Sequence, residues 1–220
     1  MKSIFESNSP FIRFLNFLAD LIVVNILFVI TSIPVITAGA AVCSAYSVLL
    51  KRIRREDPPV VKTFFKTFKS EFKRSTLIWL VLMIITVFLS ADLYIIYFIL
   101  GEEYRWLQFP VLIVLYIFLS IALYIYPLLA TYETGVKALL KNCVLISFGN
   151  LPTTIFFTFI ILLIMKVAVS SNKAMIATGS IFLFMGFAAL FYFFSVFLIR
   201  IFQKYTSEEL IQKDIDDKDR

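Results

Sequence analysis

Three uninterrupted apolar stretches, residues 77–100, 109–130 and 176–199, dominate this chain, and none carries more than one formal charge. Crossing a hydrocarbon core of about 30 Å takes about 20 helical residues. Each stretch is long enough to span a bilayer. Backbone amides in lipid have no water to bond, and a helix satisfies them within a single segment. Residues 151–169 make a fourth stretch of the same kind, with Lys166 near its far end. Composition agrees, since 60% of residues are apolar, 16% are charged and 25 are Phe, more than a water-exposed surface can hide. The expected class is all-α: a polytopic transmembrane helical bundle, read as one domain over residues 1–220 with a tail at 200–220.

The first part of the chain needs a finer argument. Residues 11–33 are long enough to cross, whereas 34–50 are slightly short. Pro34 cannot donate the amide hydrogen of a continuing helix, Thr37 has the chemistry of an amino-terminal cap, and Gly39 among Ala38, Ala40 and Ala41 lets backbones approach closely. Together they predict a tight helical hairpin. A second arm at 37–55 would be about 28 Å long at 1.5 Å per residue, with its arginines at the headgroups. Six crossings are favoured; the alternative is five, with the first segments re-entrant or the amino terminus outside. The first apolar stretch is long and carries Asp20 and Asn25, so it is expected to stay in place as a signal anchor.

Charge sets the expected orientation. Residues 51–74 carry nine basic side chains, 131–150 carry Lys137 and Lys141, and five more follow Leu198, whereas the connections 101–108 and 170–175 offer only Arg105 and Lys173. Basic loops stay inside, which predicts that both termini are cytoplasmic. Residues 60–74, "VVKTFFKTFKSEFKR", put Val61, Phe64, Phe65, Phe68 and Phe72 on one helical arc and Lys62, Lys66, Lys69 and Lys73 on the next. The pattern predicts an amphipathic cytoplasmic interfacial helix that starts after Pro58 and Pro59 and hands over to the next crossing at Ser75 or Thr76. Its rings would sit among acyl chains and its ammonium groups toward anionic headgroups. The same face could instead receive an acidic surface on a protein partner. No nucleic acid is expected, because the cations lie against lipid and no binding module surrounds them. "TGVKALLKN" reads as a second, shorter amphipathic helix.

Little in the chain suggests catalysis. Histidine is absent, and Cys43 and Cys143 lack ligand spacing, which removes the commonest metal ligand and the usual general base. No phosphate loop, nucleophile elbow, metalloprotease motif or dinucleotide fingerprint is present. The tail "TSEELIQKDIDDKDR" offers Thr206 or Ser207 as a cap, and its 214–219 run lacks the glycine and final glutamate of a calcium loop. No metal, no cofactor and no enzymatic activity are expected. Asp20, Asp92 and Lys166 form the candidate intramembrane polar site, because ionisable groups in hydrocarbon are costly unless paired or hydrated. Asp92 and Lys166 lie at similar depth and could form a buried pair; Lys166 could instead snorkel outward, and Asp20 could be hydrated at the inner interface.

The segments "TSIPVITAGAAVCSAYSVLLKRIRRE", "FFKTFKSEFKRSTLIWLVL" and "KALLKNCVLISFGNLPTTI" resemble the YesL-like family of predicted bacterial integral membrane proteins. The resemblance runs from about residue 14 to 199 and rests most on Pro34, Thr37 and Gly39, on Phe65, Phe68 and Phe72, and on Asn150 to Pro152. It implies a Gram-positive-type plasma-membrane protein, often encoded beside ATP-driven carbohydrate importers. An accessory or scaffold role with subunits of such an importer follows as the expectation, and the resemblance supplies no catalytic residue. The alternative is a small transporter with a polar site around Asp92 and Lys166. Glu133, Gly135 and Leu151-Pro152 match the residue types of an importer coupling helix but not its spacing.

Overall fold

A computed structural model describes residues 10–132 and 135–218, with side chains described for 11–132 and 135–205. Helix α1 runs Pro10–Ser32, a single 3₁₀ turn occupies Val35–Thr37, and α2 runs Ala38–Ile53. Helix α3 is Val60–Phe98, followed by a 3₁₀ segment at Glu102–Leu107 and by α4 at Gln108–Thr131. Then come α5 (Val136–Gly149), α6 (Leu151–Val169), α7 (Asn172–Ile181), a π-helical turn (Phe182–Gly186) and α8 (Phe187–Lys218). No strand occurs among the described residues. Six helical stretches are long and apolar enough to cross a membrane: Phe11–Ser32, Val35–Ile53, Val60–Phe98, Glu102–Thr131, Leu151–Val169 and Asn172–Tyr205.

Helix α2 is the hub. It touches α1, α3, α4 and α8, and almost every residue from Gly39 to Leu50 is buried. Its run of Gly, Ala, Cys and Ser explains this, because small side chains let several neighbours come close at once. A Cβ on Gly39 would stand 2.6 Å from both the Ser75 carbonyl oxygen and Trp79 Cβ, so α2 and α3 are pinched together there. Trp79 Nε1 also donates to the Val35 carbonyl, at 2.7 Å, which ties the hairpin tip to α3. Around this contact the core gathers Cys43, Tyr46, Tyr124, Phe157, Phe194 and Leu198. Phe157 stacks on Phe194 at 4.2 Å between centroids. Several hydroxyls within the helices bond back to carbonyls one turn earlier, as Ser44 to Ala40 and Ser120 to Tyr116 do, so these need no water.

Several boundaries differ from the sequence expectation. The amphipathic segment 60–74 is not a separate helix but the first part of α3, which continues unbroken to Phe98. The reason is chemical: α3 contains neither Gly nor Pro, and the Ser75 hydroxyl donates to the Glu71 carbonyl at 2.6 Å instead of capping a new start. Thr37 does not cap α2 either. Its hydroxyl donates back to the Thr31 and Pro34 carbonyls, closing the end of α1 while Pro34 supplies the break. Helix α2 stops at Ile53, short of residue 55, in a Schellman turn: Glu56 N–H bonds Lys51 O and Arg55 N–H bonds Arg52 O, with Arg55 at φ 62°. The last spanning helix starts at Asn172 rather than 176, capped by Ser171 Oγ, which accepts from Ala174 N at 3.2 Å. No new helix begins at Thr206 or Ser207, because α8 is continuous through them.

Candidate functional site

The basic start of α3 builds a site by leaning on α2 rather than lying flat. Spacing along α3 puts Thr63, Phe64, Thr67, Glu71 and Ser75 on one face, and that face meets α2. Thr67 Oγ1 donates to Ser47 Oγ at 2.9 Å, and Phe64 is wholly buried among Leu21, Val24, Ala45, Val48, Leu49 and Ala188. Phe64 therefore leaves the lipid-facing arc expected of it. Phe68 is half-buried and stacks on it. Phe65 and Phe72 stay exposed, as do Lys62, Lys66, Lys69 and Lys73. One expected arc of rings is thus divided between a protein core and an outer surface.

Beside this helix lies an open cleft of about 1000 Å³, bounded by Asn16, Asp20, Arg52, Lys62, Phe65 and Lys66. Arg52, in the last turn of α2, reaches Asp20 Oδ2 on α1 with Nη2 at 2.8 Å and Asp57 in the following loop with Nη1. The two side chains are only 22% and 29% exposed. Asp20 thus has a partner, one that the sequence reading missed, although an antiparallel hairpin brings both residues to one level. Asp92 is half-buried on α3, Lys166 is exposed on α6, and among the described residues neither makes an ion pair. The buried pair that their similar depth allowed is not formed, and the exposure of Lys166 fits the alternative in which it snorkels.

A second polar constellation was also missed. Asn25, wholly buried in α1, donates through Nδ2 to the Phe182 and Leu183 carbonyls at 3.1 and 2.8 Å, and its Oδ1 accepts from Ala188 N at 3.0 Å. These are backbone groups at the π-helical turn, where the ordinary i to i−4 ladder is interrupted. A third cluster joins α4, α5, α6 and α8. Tyr124 and Thr154 hydroxyls lie 2.9 Å apart, and Asn150 Nδ2 donates to Tyr205 Oη at 3.1 Å. Both cysteines are fully buried, and burial pushes the Cys143 thiol up to about 12. Neither offers a reactive sulfur. The Glu133 part of the coupling-helix comparison and the 214–219 side chains lie outside the described residues. Among the described residues, no group of three His, Cys, Asp or Glu could hold a metal ion.

Residues 21–93 match the family described as "Protein of unknown function, DUF624", the part that contains the second half of α1, all of α2, its pinch against α3 and the basic segment. The chain is 30% identical over 151 residues to "Uncharacterized protein YteU" of Bacillus subtilis (strain 168), an alignment covering 66% of this chain and 66% of that relative. The chain is similar to the DUF624 family over residues 21–93. This agrees with the resemblance read from its motifs. No solved structure matches this chain.

Proposed function

We propose that this chain is a non-enzymatic accessory or scaffold of a carbohydrate uptake system, set in the plasma membrane with both termini cytoplasmic. The observation that carries this reading is the surface left over on α3. With 39 residues, α3 is about 58 Å long, roughly twice what a hydrocarbon core requires. Its basic segment, residues 60–74, keeps Phe65, Phe72, Lys69 and Lys73 exposed after α2 has taken Phe64. Lysines favour the headgroup region or the cytoplasm, and exposed rings among cations suit an acidic partner surface. The link to carbohydrate and to ATP-driven importer subunits comes from the family resemblance. Nothing in the geometry favours transport through Asp92 and Lys166, which do not meet.

Affinity purification of the full chain in mild detergent tests this reading. Importer permease or ATPase subunits are expected in stoichiometric amounts, and Phe65→Ser/Phe72→Ser should abolish their recovery. A monomer recovered without them would overturn it.

A further inference from the structure

Lys51 on α2 and Lys62 and Lys66 on α3 line a cleft of about 440 Å³, together with Ser47, Thr67 and Ser70. That volume lies within the roughly 300–1,000 Å³ typical of small-molecule sites. The cleft is distinct from the one holding Asp20 and Arg52, although Lys62 and Lys66 stand on the ridge between them. Among the described residues, none of the three ammonium groups has a carboxylate within ion-pair distance. The arginines nearby are different: Arg52 is held by Asp20 and Asp57, and Arg74 by Glu71 at 3.9 Å. Glu71 also lines the cleft; its Oε2 stands 3.9 Å from Arg74 Nη1 and makes no hydrogen bond, so three ammonium groups face one carboxylate and the cleft keeps a positive balance. Three cations sharing one concavity repel each other unless an anion sits among them.

The neutral lining points the same way. Ser47 is 4% exposed; it accepts from Thr67 Oγ1, and its own hydroxyl proton remains available to a ligand. The start of α3, from Pro59 to Thr63, forms one wall, and the positive end of a helix adds to the field. Several ammonium donors with a buried hydroxyl match a group that carries more than one charged oxygen. We infer that this cleft is a phosphate-binding site, taking the phosphoryl group of a soluble phosphomonoester or of an anionic phospholipid.

Full-length protein in phosphatidylcholine nanodiscs tests this with two probes. Glycerol 3-phosphate is titrated by calorimetry, and phosphatidylglycerol is added to the discs and counted on the protein by native mass spectrometry. One saturable site is expected in one arm, and the arm that shows it names the source. Lys62→Gln/Lys66→Gln is expected to weaken binding about tenfold or more, against less than about twofold for Lys69→Gln/Lys73→Gln, which removes equal charge from the same helix outside the cleft. Lys51→Gln, altering the one lysine of the three that faces this cleft alone, should weaken binding about fivefold. All four exposed lysines can be changed without disturbing the core, so a folded variant is available whatever Lys51→Gln does. No saturable binding in either arm, or equal losses from the two lysine pairs, would overturn the assignment.

Discussion

Arg52 joins three pieces of chain, since one guanidinium holds Asp20 on α1 and Asp57 in the loop that leads to α3. Its energetic weight follows from its burial. Exposed ion pairs are worth about 0–1 kcal/mol, and this one, with both side chains under a third exposed, should reach the upper end of that range. A double-mutant cycle of Asp20→Asn and Arg52→Gln, followed by thermal unfolding in detergent, should show coupling of about 1 kcal/mol, each single change costing more than its share of the double. Additive losses would show that the two charges are independent. The pair was half legible in the sequence. Asp20 stood out as an acid in an apolar run, but its partner required measuring both arms from the tip: 12 residues from Asp20 to Ser32 and 14 from Ala38 to Arg52, about 18 and 21 Å.

At the level of helices, the α2–α3 pinch makes a sharper claim. Gly39→Ala should cost about 1–3 kcal/mol, because the new methyl overlaps backbone and a Trp79 carbon that cannot swing away. Gly101→Ala, with nothing within 4 Å, should be neutral. Comparing the two melting temperatures checks this, and equal values would mean that the pinch relaxes freely. The small residues that make this contact were readable as such, because Gly and Ala beside Pro34 have few other uses in lipid. The continuity of α3 was not. Ser75 and Thr76 look like a boundary only if hydroxyls must cap, whereas Ser75, inside the helix, bonds backward to the Glu71 carbonyl. The π-helical turn at Phe182–Gly186 was equally hidden, since a pattern scanned at 3.6 residues per turn has no place for an extra one. What exposes it is a distant side chain, Asn25.

For the molecule as a whole, long apolar runs were enough to identify a helical bundle, but not which helix stands in the middle. Helix α2 belongs to the least apolar of the six spans, Val35–Ile53, yet it is the most enclosed, because small residues admit neighbours on every side. Cys43 follows from that enclosure, and Cys143, on α5, is buried in the same core cluster. Maleimide applied to native protein should label neither Cys43 nor Cys143, even at about pH 9 where free thiols ionise, and unfolding should release both. For Cys143 the sign is set by burial: its folded value lies above the ordinary one, so the thiol stays protonated, and the stability tied to it falls only as pH climbs from about 9 toward 12. Rapid native labelling would contradict the packing around α2.

The bond from Asn25 to the Leu183 carbonyl has a consequence for biosynthesis. It joins positions 158 residues apart, and ribosomes add roughly 5–20 residues per second, so the amide is made on the order of ten seconds before its partner exists. Throughout that interval α1 carries an unmatched polar group that lipid cannot solvate. The first helix therefore reaches its final seat only after the last has been translated, and nascent chains halted before Leu183 should leave α1 open to capture by the insertion machinery.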